Sequence, residues 1–174
     1  WSTPAIDAKR NRIYIGTGEN LSEPATDTSD AIIALDMDTG KLAWRFQATA
    51  GDVWNAACLN GGPNCPKNAG GDFDFGASVI IAELPGGGAG ELVWQRQVSN
   101  AGVGPDLHQT TTNGGVHWGM ALSGERLLVA AADPERVRPD YHPKPGLHAL
   151  NLADGEVLWF HGVSRGCDIP EENK

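Results

Sequence analysis

An eleven-residue pattern occurs twice in this chain: residues 34–44 read ALDMDTGKLAW and residues 149–159 read ALNLADGEVLW. In the first copy, the apolar run 31–35 suits a buried strand. The residues that follow, DMDTG (36–40), include the Asp and Gly that are typical of a tight turn. Leu42 and Trp44 then alternate with other residues, which places them on one face of a second strand. The pattern therefore predicts a β-hairpin that ends at a tryptophan, formed twice.

A third, shorter copy lies between these two, in GGGAGELVWQRQV (residues 86–98), with Trp94 in register but no ALD strand before it. Hairpins that recur at intervals of tens of residues are typical of propeller blades. We therefore expect an all-β fold of about three four-stranded blades, and we set aside a β-sandwich with accidental similarity between hairpins. Relative to the complete copies, about 20 residues are missing near residues 84–91.

Composition is that of an acidic globular protein. The chain has 174 residues, 23 Gly, 11 Pro and a formal net charge of −9. The negative charge gives no electrostatic attraction for nucleic acid, and no apolar run approaches the ~20 residues of a membrane span. The chain begins within a strand-like pattern, WSTPAID, which we interpret as part of a longer protein.

Cys58 and Cys65 lie in CLNGGPNC, a loop rich in Gly, Pro and Asn. We expect a disulfide between Cys58 and Cys65 that closes this loop, with Cys167 bonded to neither of them. Such a disulfide would indicate the periplasm or secretion. Two free thiols in a reducing compartment are the alternative. A zinc site is a weaker interpretation, because no second Cys or His pair stands at ligand spacing.

The ALDxxTGKxxW pattern resembles the tryptophan-docking repeat of quinoprotein dehydrogenases, the pyrroloquinoline quinone (PQQ)-dependent alcohol dehydrogenases. The resemblance implies an eight-bladed propeller with the quinone over its centre, in which the repeat tryptophan stacks between neighbouring blades. Residues 1–174 would then form a partial propeller without a second domain, and the remaining blades would be its packing partners. Non-catalytic propellers share the repeat, so it specifies the fold better than the function.

The segment WSTPAIDAKRNRIYIGTGEN (residues 1–20) is similar to a family stretch that begins with the tryptophan beneath the quinone and ends with an asparagine that binds calcium. The resemblance places Trp1 at the floor of the quinone site. Counted from Trp1, the calcium-ligand position falls on Glu19, with Asn20 one residue later. Either side chain offers the hard oxygen that calcium prefers, so both stay candidates.

Two segments, DVWNAAC (52–58) and GDFDFGASVII (71–81), resemble the family stretch that carries the catalytic base. The first has Asn55 at the base position, and an amide has no titratable group. Asp74 is therefore the expected proton acceptor, with Asp72 as the alternative. We interpret the cysteine loop, residues 56–71, as an insertion, and this arrangement most resembles the polyvinyl alcohol dehydrogenase-like branch.

A last segment, NGGVHWGMA (113–121), resembles a family stretch near the quinone and places His117 and Trp118 there. Together the resemblances imply a PQQ- and calcium-dependent oxidoreductase that acts on a small or polymeric alcohol. Electrons would pass to a separate cytochrome c, since the sequence contains no C-x-x-C-H haem site. The alternative is a cofactor-free propeller that serves as a scaffold. Because an arc of three blades exposes its sheet faces, we expect the isolated chain to be inactive.

Overall fold

The chain is described here by a computed structural model over residues 2–84, 90–100, 114–133 and 142–163. These residues form eight strands and one short 3-10 helix, Ala56–Asn60, and no α-helix. The strands are β1 (Ala5–Asp7), β2 (Arg12–Gly16), β3 (Ala31–Asp36), β4 (Leu42–Gln47), β5 (Met120–Ser123), β6 (Arg126–Ala131), β7 (Gly146–Asn151) and β8 (Val157–Gly162). Among the described residues, no helix has the length and apolar character needed to cross a membrane.

The strands form two separate four-stranded antiparallel sheets, ordered β1-β2-β3-β4 and β5-β6-β7-β8. In both sheets each strand pairs with the next one along the chain, which is the arrangement of a propeller blade. The expectation of an all-β fragment of a propeller is confirmed.

The two complete copies of the repeat have the same register. Trp44 pairs with Ala34 across the β3–β4 hairpin, and Trp159 pairs with Ala149 across the β7–β8 hairpin. Both ladders contain an irregularity at the same place, immediately after the paired alanine. The two tryptophans therefore occupy equivalent positions, because the same pattern of turn and apolar residues fixes the same pairing.

The turn of each hairpin is closed by the glycine of the repeat. Gly40 donates its N–H to the carbonyl oxygen of Asp36 over 2.8 Å, and Gly155 donates to that of Asn151 over 2.9 Å. Both glycines have positive φ, +67° and +70°. A left-handed backbone at this point is strained for residues that carry a Cβ, which explains why both copies place glycine there.

The third copy of the repeat lies between the two sheets. Its described residues, 90–98, contain no regular strand, and neither do residues 78–84 before it. Nevertheless, the indole Nε1 of Trp44 donates to the carbonyl oxygen of Gly90 over 2.7 Å, and that of Trp94 donates to Leu152 over 2.9 Å. The third copy thus contacts both sheets through these tryptophans, although it lacks the strand pairing of a complete blade.

Cys58 and Cys65 form a disulfide, with their Cα atoms 4.8 Å apart, so the expected pairing is confirmed. Cys167 lies outside the described residues. The loop is anchored by Asn55, whose Oδ1 accepts from the N–H of Ala57 and whose Nδ2 donates to the carbonyl oxygens of Leu21 and Asn64. Asn55 therefore has a structural role in this chain; that residues 56–71 are an insertion stays a prediction.

Candidate functional site

The site is built on residues 17–20, which continue beyond the end of β2 and are called the β2 extension below. On one side, Phe75 donates its N–H to the carbonyl oxygen of Thr17 over 3.1 Å. On the other, Asp30 donates its N–H to the carbonyl oxygen of Gly18 over 2.9 Å. Asn20 forms a parallel bridge with Val53. Three distant parts of the sequence therefore meet around residue 19.

Three carboxylates come together at the β2 extension. One oxygen each of Glu19, Asp72 and Asp74 lies within 4.8 Å of the others, and we call these residues the acid cluster. Gly18 makes the approach possible, because a Cβ at that position would overlap Oδ1 of Asp74. Glu19 and Asp72 are half-buried, whereas Asp74 is exposed. The structure thus brings together three residues that the sequence had marked separately.

Burial raises the pKa of all three carboxyl groups, since the charged form is disfavoured away from water. The pKa of Glu19 rises to about 7. The pKa of Asp74 is raised less strongly, because a hydrogen bond with Glu19 and the nearby His117 both lower it. The hydrogen bond between the two carboxyl groups raises the pKa of Glu19 and lowers that of Asp74, so Glu19 is the favoured holder of a proton that the two share.

The side chain of Asn20 is hydrogen-bonded to Thr26 and not to the acid cluster. Its Oδ1 accepts from the backbone N–H of Thr26 over 2.6 Å and from the Thr26 hydroxyl over 3.0 Å. This pair of bonds closes the loop between residues 20 and 26. Of the two candidate calcium ligands, only Glu19 belongs to the acid cluster.

His117 lies near the acid cluster, and Trp118 follows it in the sequence. His117 lowers the pKa of both Asp72 and Asp74 through its charge, and its Nε2 is 2.8 Å from the carbonyl oxygen of Gly114. The His117 and Trp118 rings are 5.4 Å apart between centroids, and Trp118 is 81% exposed. Trp1 lies outside the described residues.

Two further acids, which sequence reasoning missed, flank the β2 extension. Asp30 and Asp52 are only 2% and 4% exposed, and their carboxyl groups have few partners: each contacts the other, and the N–H of Val53 approaches that of Asp52. Burial, followed by the neighbouring Asp52, raises the pKa of Asp30 to about 8. No local signal in the sequence marks either aspartate, because the burial of Asp30 beside Ala31 and of Asp52 beside Val53 depends on the fold.

Comparisons with known proteins give one consistent match. Residues 1–59 match the family model described as "PQQ: Glucose/ethanol/alcohol dehydrogenase, beta-propeller domain". Over 95% of its length the chain is 35% identical to a polyvinylalcohol dehydrogenase of Pseudomonas sp, and over 91% it is 31% identical to that of Sphingopyxis sp. (strain 113P3). A shorter match, 36% identical over 32% of the chain, is to the quinohemoprotein alcohol dehydrogenase of Comamonas testosteroni.

The chain spans 27% and 26% of the length of the two polyvinylalcohol dehydrogenases and 9% of the third relative. The two long matches extend well beyond the 59 residues of the family model, so both sheets lie largely within them. The similarity therefore concerns the arrangement of repeats along the chain as well as the β2 region.

Proposed function

Because the chain belongs to the β-propeller family of PQQ-dependent alcohol dehydrogenases and is similar to its polyvinylalcohol dehydrogenases, we propose that it forms part of an enzyme that oxidises an alcohol with PQQ and calcium. The observation that carries the proposal is the convergence of Glu19, Asp72 and Asp74 at the β2 extension. A scaffold propeller has no need of three carboxylates at this place, since their burial is unfavourable unless they bind a cation or move a proton.

The acid cluster fits calcium by the chemistry of its donors. All of its ligand atoms are carboxylate oxygens, which are the ligands that Ca²⁺ takes, and flexible coordination tolerates the 4.8 Å spread. None of the ion pairs among the described residues neutralises these acids. Glu19 would hold the ion, with Asp72 beside it, and the ion would replace the proton that Glu19 shares with Asp74.

The surroundings of the cluster fit a planar, anionic cofactor. Trp118 exposes its ring one residue from His117, which lies near enough to Asp72 and Asp74 to lower the pKa of both. An exposed indole offers a flat apolar surface, and an imidazole can donate a hydrogen bond to an oxygen of the quinone. We propose that His117 and Trp118 line the quinone site, together with Trp1.

In the reaction, Asp74 takes the proton of the substrate hydroxyl. When bound, PQQ supplies the hydride acceptor and calcium the Lewis acid. Asp74 suits the role of base because it is exposed and because the hydrogen bond with Glu19 and the nearby His117 favour its ionised form. Gly18 leaves room for the carboxylate at this position.

The proposal includes three further parts. The alcohol is a polymer such as polyvinyl alcohol, as the name of the two long matches suggests, or else a small-molecule alcohol. The electrons pass to a cytochrome c on another domain or protein. The enzyme works in the periplasm or outside the cell, which the Cys58–Cys65 disulfide supports because such bonds persist in oxidising compartments.

The test uses the intact protein reconstituted with PQQ and calcium, with dye-linked oxidation of polyvinyl alcohol as the assay. We expect turnover to depend on both PQQ and calcium. At limiting calcium, Glu19→Gln should reduce turnover at least tenfold. The matched control is Glu23→Gln, the same change in a nearby glutamate that instead hydrogen-bonds Asn68. Absence of PQQ binding in the wild-type protein would contradict the proposal and favour a scaffold.

A further inference from the structure

Asp30 and Asp52 form a second acidic group, called the acid pair below, that the proposed reaction does not use. Their carboxyl groups are neighbours, since Asp52 raises the pKa of Asp30 through its charge and through side-chain contact. Each residue is more than nine-tenths buried, and apart from the contact between the two carboxyl groups only the N–H of Val53 approaches them, at Asp52. Buried carboxylates are almost always paired or hydrogen-bonded, so this arrangement requires an explanation.

A shared proton does not satisfy the acid pair. One proton supplies one O–H donor, which still leaves a residual charge of −1 in a buried position. No ion pair among the described residues involves Asp30 or Asp52. A divalent cation would neutralise both charges and bind oxygens of both side chains at once.

The backbone around the acid pair lies directly against one of the carboxylates. A Cβ at Gly70 would overlap Oδ1 of Asp52, so only glycine allows this approach. The N–H of Gly70 is used in a 3.0 Å bond to the carbonyl oxygen of Val53 and does not serve the carboxylate. The bare backbone at Gly70 therefore makes room for the Asp52 side chain without donating a hydrogen bond to it.

The acid pair also lies on both sides of the β2 extension. Asp30 donates its backbone N–H to Gly18, and the carbonyl oxygen of Asp52 accepts the N–H of Asn20 over 3.4 Å. These two contacts bracket Glu19, which lies between Gly18 and Asn20 in the sequence. A cation bound by the acid pair would link the segment before β3 to the segment around Val53. Both segments contact the β2 extension, which carries Glu19.

We propose that Asp30 and Asp52 bind a divalent cation of the calcium type at a buried structural site, separate from the Glu19–Asp72–Asp74 cluster. The site takes a hard cation because the side chains offer only carboxylate oxygens. It holds the β2 extension in place and thereby positions Glu19. The proposal goes beyond the alcohol oxidation proposed above and stands without it, since it concerns residues outside the acid cluster.

The test is a calorimetric titration of the full metal-free protein with Ca²⁺ alone, accompanied by thermal unfolding with and without the ion. We expect Asp30→Asn and Asp52→Asn each to bind one equivalent of Ca²⁺ fewer than the wild type and to lose most of the Ca²⁺-dependent rise in Tm. The matched control is Asp27→Asn, an exposed aspartate three residues from Asp30 that pairs with Arg45. It should keep the wild-type number of bound ions.

A reciprocal variant separates this site from the acid cluster and does not depend on the folding of the Asp30 variant. The triple change Glu19→Gln, Asp72→Asn and Asp74→Asn should remove the cluster's ion and still bind one Ca²⁺ that raises Tm. If the Asp30 and Asp52 variants bind as many ions as the wild type, or if the triple variant gains no stability from Ca²⁺, the acid pair holds a proton and the proposal is wrong. Either result leaves the alcohol oxidation to be judged by its own assay.

Discussion

The ring of Trp94 packs against Gly155, in the turn of the following sheet, and its Nε1 donates to the nearby carbonyl oxygen of Leu152. Trp44 contacts Gly90 in the same way, one repeat earlier. Gly90 and Gly155 each stand four residues before the tryptophan of their own copy. The repeat therefore carries both halves of one contact: a tryptophan that docks on the next unit and a glycine that receives the preceding one.

We expect Gly155→Ala to destabilise the chain by about 1–3 kcal/mol through overpacking against Trp94, in addition to backbone strain. A Cβ at Gly155 would lie 2.5 Å from the indole ring of Trp94. The ring would therefore have to move and would lose its contact with the turn. The free energy of unfolding from denaturant titration measures the effect, and the fluorescence of Trp94 reports the displaced ring.

Gly124→Ala is the control for this substitution. Gly124 has a similar φ of +59° in the β5–β6 turn, but nothing lies within 4 Å of a Cβ there. It should show only the strain of about 1–2 kcal/mol that a side chain adds to a left-handed residue. Equal losses for the two variants would mean that the Trp94 contact contributes nothing to stability.

Removal of the disulfide by Cys58→Ala with Cys65→Ala should lower the free energy of unfolding by about 2 kcal/mol, because the short loop gains freedom in the unfolded state. Denaturant titration with and without reductant measures this. The wild type should lose stability on reduction, and the double variant should not respond. Cys167→Ala serves as the control, and a response to reductant that persists in the double variant would contradict the pairing.

His148 should make stability depend on pH in a defined window. The side chain is 2% exposed, its Nδ1 has no partner, and burial followed by the nearby Lys144 lowers its pKa below 6.5. The unfolded chain therefore binds a proton first as pH falls, so this contribution is present above about pH 6.5 and is lost below it.

The variant His148→Gln should flatten the slope of stability against pH between about pH 5 and 6.5. Urea titrations at a series of pH values measure the slope. His161→Gln, a change in an exposed histidine of β8, should leave the wild-type slope. If both variants retain that slope, protonation of His148 does not contribute to it.

Sequence alone predicted the hairpins, because their apolar alternation and Asp/Gly turns are local signals that specify register without further information. The equivalence of Trp44 and Trp159 follows from that register. The disulfide was likewise predictable, since Cys58 and Cys65 share one short loop. The third copy forms no strand in its described residues, so the described part of the chain has two four-stranded sheets and not the three blades expected.

The acid pair could not be found from the sequence. Asp30 and Asp52 are 22 residues apart, and each resembles an ordinary turn or capping aspartate in its own segment. They become neighbours only because the β2 extension contacts residues near both of them through Gly18 and Asn20. The hydrogen bond between the Asn20 side chain and Thr26 could not be predicted for the same reason, since it depends on how the 20–26 loop closes.

The two candidate calcium ligands can be separated by conservative changes in the intact protein. We expect Glu19→Gln to weaken calcium binding at the acid cluster by at least tenfold, because it removes a charged oxygen ligand. Asn20→Ser should leave that affinity within a fewfold of the wild type and lower stability instead, since it breaks the bonds to Thr26. Calcium titration and thermal unfolding of both variants measure the two effects, and the opposite outcome would make Asn20 the ligand.

Asp74 and Asp72 differ in surroundings, and this decides which is the better base. Asp74 is exposed and accepts a hydrogen bond from Glu19, which favours its ionised form. The pKa of Asp72 is raised first by burial and then by the charges of Asp74 and Asp52, which disfavour its ionised form. Asp74 is therefore the one of the two whose carboxylate receives a hydrogen bond from Glu19, and it is the nearer to solvent.

We accordingly expect Asp74→Asn to bind PQQ and to lose turnover by roughly 10²–10⁴-fold, the usual effect of removing a general base. Asp72→Asn should keep most of the maximal rate and lose calcium affinity, because its carboxylate supports the ion without taking the substrate proton. Single-turnover reduction of bound PQQ, measured by absorbance at saturating calcium, separates the two effects. If Asp72→Asn abolishes quinone reduction at saturating calcium while Asp74→Asn does not, Asp72 is the proton acceptor.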